Sequence, residues 1–164
     1  MPDVGRLLLW LALAGLVLLL DQWTKGLALA HLDYGRPQQW LPVLNMTLQY
    51  NEGAAFSFLS DAGGWQRWFF SGIALLASIV ICVWLARLHR GEVLLALSLS
   101  LILGGAIGNL WDRLALGHVV DFISVHYGPY YFPTFNVADS AVSVGAGLMI
   151  LDAIIQARRV RQEA

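Results

Sequence analysis

Four runs of this sequence, residues 7–30, 65–86, 93–110 and 137–155, are each about 20 residues of nearly unbroken apolar side chains. A bilayer core of about 30 Å asks for about 20 such residues in a helix, so each run is read as a membrane span. Only a chain placed in lipid can leave so much apolar surface uncovered. Of 164 residues 58% are hydrophobic and 13% charged, whereas roughly a quarter of an average soluble domain is charged. A water-soluble domain is thereby excluded, and 164 residues make one domain, residues 1–164. Lys and Arg together number 10 and the net charge is -1, so the basic footprint of a nucleic-acid binder is absent. The lone Cys82 has no partner for an internal disulfide.

Four spans put both termini on one side, and basic residues say which. Arg6, the tight loop with Arg87 and Arg90, and the tail with Arg158, Arg159 and Arg161 lie on that side. The loops 31–64 and 111–136 hold only Arg36 and Arg113 outside the spans. The positive-inside rule makes both termini cytoplasmic and both long loops external. Trp23, Trp40, Trp65, Trp68 and Trp111 then fall near the outer interface, and Trp10 and Trp84 near the inner one. The first run is read as a retained span rather than a cleaved signal peptide, because the apolar stretch continues past DQWTK (21–25). In the first loop, MTLQY (46–50), the turn signal Asn-Glu-Gly (51–53) and AAFSFL (54–59) predict a small β-element or hairpin at the membrane surface. The second loop, with YGPYYFPTF (127–135) and its two prolines, is expected to be irregular. Neither an internal repeat nor inverted hydropathy symmetry is visible, which weakens a transporter reading. The fold class is therefore mainly α, with four transmembrane helices and a small external β-element.

Ionisable groups in a membrane protein are costly and mark function. On this topology Asp21 and Lys25 lie toward the outer end of the first span. Asn109, Asp112 and Arg113 lie at the outer end of the third, Asn136 and Asp139 at the outer start of the fourth, and Asp121 in the loop between. All share one depth; Asp152 alone sits at the inner end. Each has a plainer explanation too. Asp21 and Lys25 are spaced i, i+4 as a helical ion pair. Arg113 can anchor at the interface, bind an anionic headgroup or pair with a carboxylate. Asp139 can cap a helix. Gly104, Gly105 and Gly108 suit close helix packing. Asp121 lies among apolar neighbours with no adjacent base.

Asp121 and Asp139 are thus the pair for chemistry. Two carboxyl groups in mutual reach share a proton, so that one takes a proton from water while the other polarises a carbonyl. Such chemistry requires no metal and no cofactor. The sequence lacks the His-Glu-x-x-His of a zinc protease and the Gly-x-Ser-x-Gly of a serine hydrolase. His118, Asp121 and His126 match no strong metal spacing. A rival reading uses the same acids as an ion relay, but the acids gather at one depth instead of crossing the membrane.

Five segments then carry a resemblance. They are DQWTK (21–25), NEGAAFSF (51–58), GGAIGNLWDR (104–113), GHVVDF (117–122) and FNVADS (135–140). In this order and at this depth the chain resembles bacterial lipoprotein signal peptidase, the signal peptidase II family, over nearly its whole length. Glu52 departs from the family's pattern, where a small or neutral polar residue is expected. The resemblance implies an aspartyl endopeptidase of the bacterial inner membrane, with its active site at the outer leaflet. It would cut diacylglyceryl-modified prolipoproteins just before the lipidated cysteine. It implies inhibition by globomycin, a small outer β-cradle, and a monomer whose other partner is membrane lipid. Carried over, Asp121 and Asp139 are the catalytic pair. Asn51, Gly53, Asn109, Arg113 and Asn136 line or support the substrate site, and Asp21, Lys25 and Asp112 are structural.

Overall fold

The computed structural model describes residues 4–53 and 64–163. Four helices dominate: α1 (Val4–His31), α2 (Trp65–Arg87), α3 (Val93–Ala115) and α4 (Val137–Glu163). Each is long and apolar enough to cross a membrane. Four strands join them, β1 (Gln38–Leu41), β2 (Leu44–Asn51), β3 (Val119–Tyr127) and β4 (Tyr130–Tyr131). They form one antiparallel sheet in the order β1-β2-β3-β4. The four-helix architecture and the β-element agree with the sequence reading; AAFSFL (54–59) lies outside the described residues.

The bundle is built around α3, the most buried helix, which packs against the other three. Elsewhere the large apolar side chains, such as Leu8, Leu19, Leu76 and Ile150, point outward, as helices solvated by lipid require. Without a hydrophobic drive between helices, close approach must come from small side chains, and α3 supplies them. A Cβ on Gly104 would stand 2.6 Å from the Ala14 carbonyl oxygen and the Val17 Cβ of α1. One on Gly105 would collide with the Ala138 carbonyl oxygen of α4, and one on Gly108 would stand 2.6 Å from Asp21 Oδ2. The buried residues of α1, Ala14, Val17, Asp21, Lys25 and Ala28, recur every three or four positions and form the facing stripe.

The helices outrun the predicted spans, and α4 continues through the basic tail to Glu163. Helix α3 runs on to Ala115, so Trp111, Asp112 and Arg113 are helical rather than the start of a loop. No helix breaker intervenes before Gly117, whose φ of 89° turns the chain into β3. The loop that follows is not irregular throughout. VVDFISVHY (119–127) is rich in β-branched and aromatic residues and forms a nine-residue strand, with Pro129 and Pro133 outside it. Its first half packs Val120 and Phe122 against Leu48 of β2 and Ala28 of α1. The sheet is thereby seated on the end of the bundle where α1 and α3 finish and α4 begins.

Gly105→Val should lower the unfolding temperature of the detergent-solubilised protein, at a cost of about 1–3 kcal/mol for overpacking. Gly15→Ala, where a Cβ meets nothing within 4 Å, is the control and should leave the temperature unchanged or raise it slightly.

Candidate active site

Five elements meet at the sheet end of the bundle, and each sends in a polar side chain. From α1, Lys25 is buried and its ammonium lies 2.7 Å from Asp21 Oδ2 and 2.9 Å from Asp112 Oδ2. It also donates to Asn109 Oδ1 at 3.0 Å. The two carboxylates reach further. Asp21 Oδ1 accepts the Ala138 N–H at 2.8 Å, occupying a first-turn donor of α4 that has no partner within its own helix. Asp112 Oδ2 accepts the Val120 N–H of β3 at 3.0 Å, and Gln22 Nε2 donates to Asp112 Oδ1 at 2.8 Å. One ammonium therefore links α1 to α3 and, through its acids, to α4 and β3.

Asp121 and Asp139 stand beside this cluster. Asp121 sits on β3 opposite Gln49, and Asp139 lies in the first turn of α4. Asn136, immediately before α4, joins them. Its Nδ2 donates to Asp121 Oδ1 at 2.7 Å. Its Oδ1 accepts the Asp139 N–H at 2.8 Å, and its own N–H donates to Asp139 Oδ2 at 3.3 Å. This reciprocal pair is a capping box written with Asn and Asp. The segment just ahead of it is pinned to β3, since the Phe135 carbonyl accepts the Phe122 and Ile123 N–H groups. The residue between the acids is thus held from both sides.

Two further asparagines complete the set. Asn51, at the end of β2, donates from Nδ2 to Asp121 Oδ2 at 3.1 Å. Its Oδ1 accepts the Gly53 N–H at 2.9 Å in an Asx-turn. Gly53 has φ 110°, and a Cβ there would stand 2.7 Å from the Phe70 ring, so both the turn and the space demand glycine. Asn109 donates from Nδ2 to Asp139 Oδ1 at 2.7 Å. In all three asparagines the carbonyl oxygen faces a donor and the amide N–H faces an acid.

Burial pushes the Asp121 carboxyl up, the nearby charge of Asp139 adds to this, and the donors Asn51 and Asn136 pull it back, leaving it at about 7. Arg113 extends from α3 over the Phe70 ring, 5.5 Å from its centroid, and donates to the Asn109 carbonyl at 3.3 Å. Its charge interacts with Asp139, Asp121 and Asp112. Its Nε is buried without a partner among the described residues.

Every residue singled out from the sequence, Asp21, Asn51, Gly53, Lys25, Asn109, Asp112, Arg113, Asp121, Asn136 and Asp139, belongs to this one network. His118 and His126 do not join Asp121; they stack on Tyr50 and Tyr131 respectively. Sequence reasoning assigned no role to Gln22 or Phe70. Gln22 lies inside the DQWTK segment, a usable signal, whereas nothing in the sequence marks Phe70 among its aromatic neighbours.

Comparison with known proteins bears on this site. The family model for signal peptidase (SPase) II matches residues 13–155. The lipoprotein signal peptidase of Acinetobacter baumannii is 55% identical over 145 residues, 88% of this chain and 82% of that protein. That of Pseudomonas aeruginosa is 53% identical over 156 residues, 93% of this chain and 92% of that protein. A solved bacterial membrane enzyme, determined by the in meso method at 2.3 Å, superposes with a TM-score of 0.78 at 32% identity, over 94% of this chain and 90% of that one.

Asp121 should be half-protonated at about pH 7, read from the pH dependence of its carboxyl stretch in infrared difference spectra, with Asp121→Asn as the blank. Asp139→Asn removes a repelling charge and should move that midpoint down. Asn51→Ala removes a donor to the ionised form and should move it up.

Proposed function

Since this multi-pass membrane protein belongs to the signal peptidase II family, we propose that it is an aspartyl endopeptidase in which Asp121 and Asp139 activate water to cleave prolipoproteins. The substrates are signal-peptide precursors whose cysteine already bears diacylglycerol, cut just before that cysteine. The observation that carries this reading is Asn136 holding both acids at once, with Asp121 pushed up to about 7 beside Asp139. Two carboxyl groups so placed are poised to share one proton near neutral pH.

The difference in surroundings supports a division of labour. Asp121 is the member that carries the proton, and Asp139 is the base. Asp139 removes a proton from water as the water oxygen bonds to the scissile carbonyl carbon. Asp121 passes its proton to the carbonyl oxygen, giving a neutral gem-diol. Asp139 then delivers its proton to the cysteine nitrogen, the C–N bond breaks, and a gem-diol hydroxyl returns a proton to Asp121. One water is consumed, and both acids regain their starting states.

The remaining groups fit the substrate. Arg113, with a buried N–H to spare, donates to a substrate backbone carbonyl, which in so apolar a setting must find a donor. Asn109 and Asn51 fix the acids. Asp21, Lys25 and Asp112 hold the elements that present them. A substrate tethered by two acyl chains and a signal helix brings its scissile bond to the depth of the headgroups. Basic residues at the opposite end of the bundle, Arg87, Arg90, Arg158, Arg159 and Arg161, set that end in the cytoplasm and the active site at the outer leaflet of the inner membrane. The same site takes globomycin-type inhibitors, and the chain acts as a monomer in contact with membrane lipid.

Cleavage of a diacylglyceryl precursor peptide by the purified protein tests this. Asp121→Asn and Asp139→Asn should each lower kcat by about 10³-fold or more, at the upper range of general acid–base contributions, while remaining inserted and folded. Either variant cutting at the wild-type rate would refute the pair. Activity should survive chelators; a loss restored by added zinc would point to a metal enzyme instead.

A further inference from the structure

Lys25 makes no hydrogen bond to either acid of the pair. Its side chain is 3% exposed, and its three partners, Asp21 Oδ2, Asp112 Oδ2 and Asn109 Oδ1, account for all three of its N–H donors. Neutralising Asp21 and Asp112 explains two of those bonds as structural. The third goes to a neutral amide and has a different consequence.

An ammonium can only donate. Asn109 must therefore turn its oxygen toward Lys25, and its NH₂ is left facing Asp139 Oδ1 at 2.7 Å. The same oxygen accepts Asn136 Nδ2 at 3.1 Å, the nitrogen that also donates to Asp121. Asn136 in turn has its oxygen committed to the Asp139 N–H. Rotating the Asn109 amide by half a turn would set NH₂ against an ammonium and a second NH₂, and oxygen against a carboxylate. All three contacts would become repulsive. The orientation of the donors at the acids follows from an ammonium, a group that has no acceptor.

We propose that Lys25 is a positioning residue of the reaction, fixing the orientation of the Asn109 amide so that Asp139 always faces a donor. This rests on the reading of Asp121 and Asp139 as the working acids. With the amide held in place Asp139 Oδ1 is always presented with an N–H rather than with a second oxygen; without Lys25, the amide samples the opposite orientation. Asp121 of β3 and Arg113 of α3 act on Asp139 by charge, the Lys25 charge acts on Asp121, and Asp21 and Asp112 lie against Lys25. The amide bond is thus one contribution to a crowded field, separable by its own substitution.

The test compares pH profiles of kcat/KM for full-length wild type, Asn109→Ala, Lys25→Met, the double variant and Lys25→Arg on the lipidated precursor peptide. Asn109→Ala should move the acidic limb to higher pH and lower kcat about tenfold or more with KM within about twofold. Lys25→Met should do the same, the double variant should add nothing, and Lys25→Arg, also donor-only, should return the acidic limb toward wild type. A folded Lys25→Met enzyme with an unmoved profile overturns the proposal, as does full additivity in the double variant. If Lys25→Met does not accumulate, Asn109→Asp decides. It keeps an oxygen for Lys25 but sets a carboxyl in place of the amide donor at Asp139, so it should fold, lose rate and shift its acidic limb; a wild-type profile there overturns the proposal. Asp121→Asn or Asp139→Asn cutting normally would sink the underlying reading of the pair instead.

Discussion

A single buried ammonium carries the architecture of this protein. Lys25 lies between the carboxylates of Asp21 and Asp112, and each of those acids holds a backbone N–H of another element. Removing one partner of a buried ion pair strands the other in a medium that solvates it poorly, at a cost of about 3–5 kcal/mol. Here the loss would spread further, since Asp21 also caps α4 and Asp112 also holds β3. The ion cluster is a joint among four elements, placed where the bilayer can contribute little to helix association.

Packing makes that joint possible. Gly108 leaves room for the Asp21 carboxylate against α3, and Gly105 lets the start of α4 lie on the same helix. The apolar residues that fill most of the bundle surface contribute solubility in lipid, not specificity. Polar groups at one end, brought within reach by glycines, select the arrangement. The same group of side chains then sets the protonation of the site: burial pushes Asp121 up, Asp139 adds to that, and aligned amides restrain it.

Much of this was legible in the sequence because membrane residence simplifies the reading. Apolar length located the spans, and acids that lipid would otherwise exclude located the site. Asp121 stood out for its apolar neighbours, whereas Asp139, which a helix cap also explains, stood out by the depth it shares with the other polar residues. The sequence was less informative where local pattern competes with tertiary pairing. VVDFISVHY had the composition of a strand, yet the prolines after it suggested an irregular loop; pairing with β2 decides the matter. The third span was drawn to end at Leu110, yet the helix continues through Asp112 and Arg113, which are polar on account of what they hold. Nor does spacing reveal which way an asparagine amide points, since that depends on donors from distant segments.

The two acids come from β3 and from α4, the last helix in the chain, and the N-terminus of α4 is capped by a side chain of the first. No fragment that ends before residue 136 contains both acids, and none that lacks α1 has the carboxylate that caps α4. A nascent chain that has not reached Asp139 therefore lacks the pair of acids. On the proposed mechanism, cleavage begins only when α4 meets α1, so that an unfinished chain spares the precursors around it.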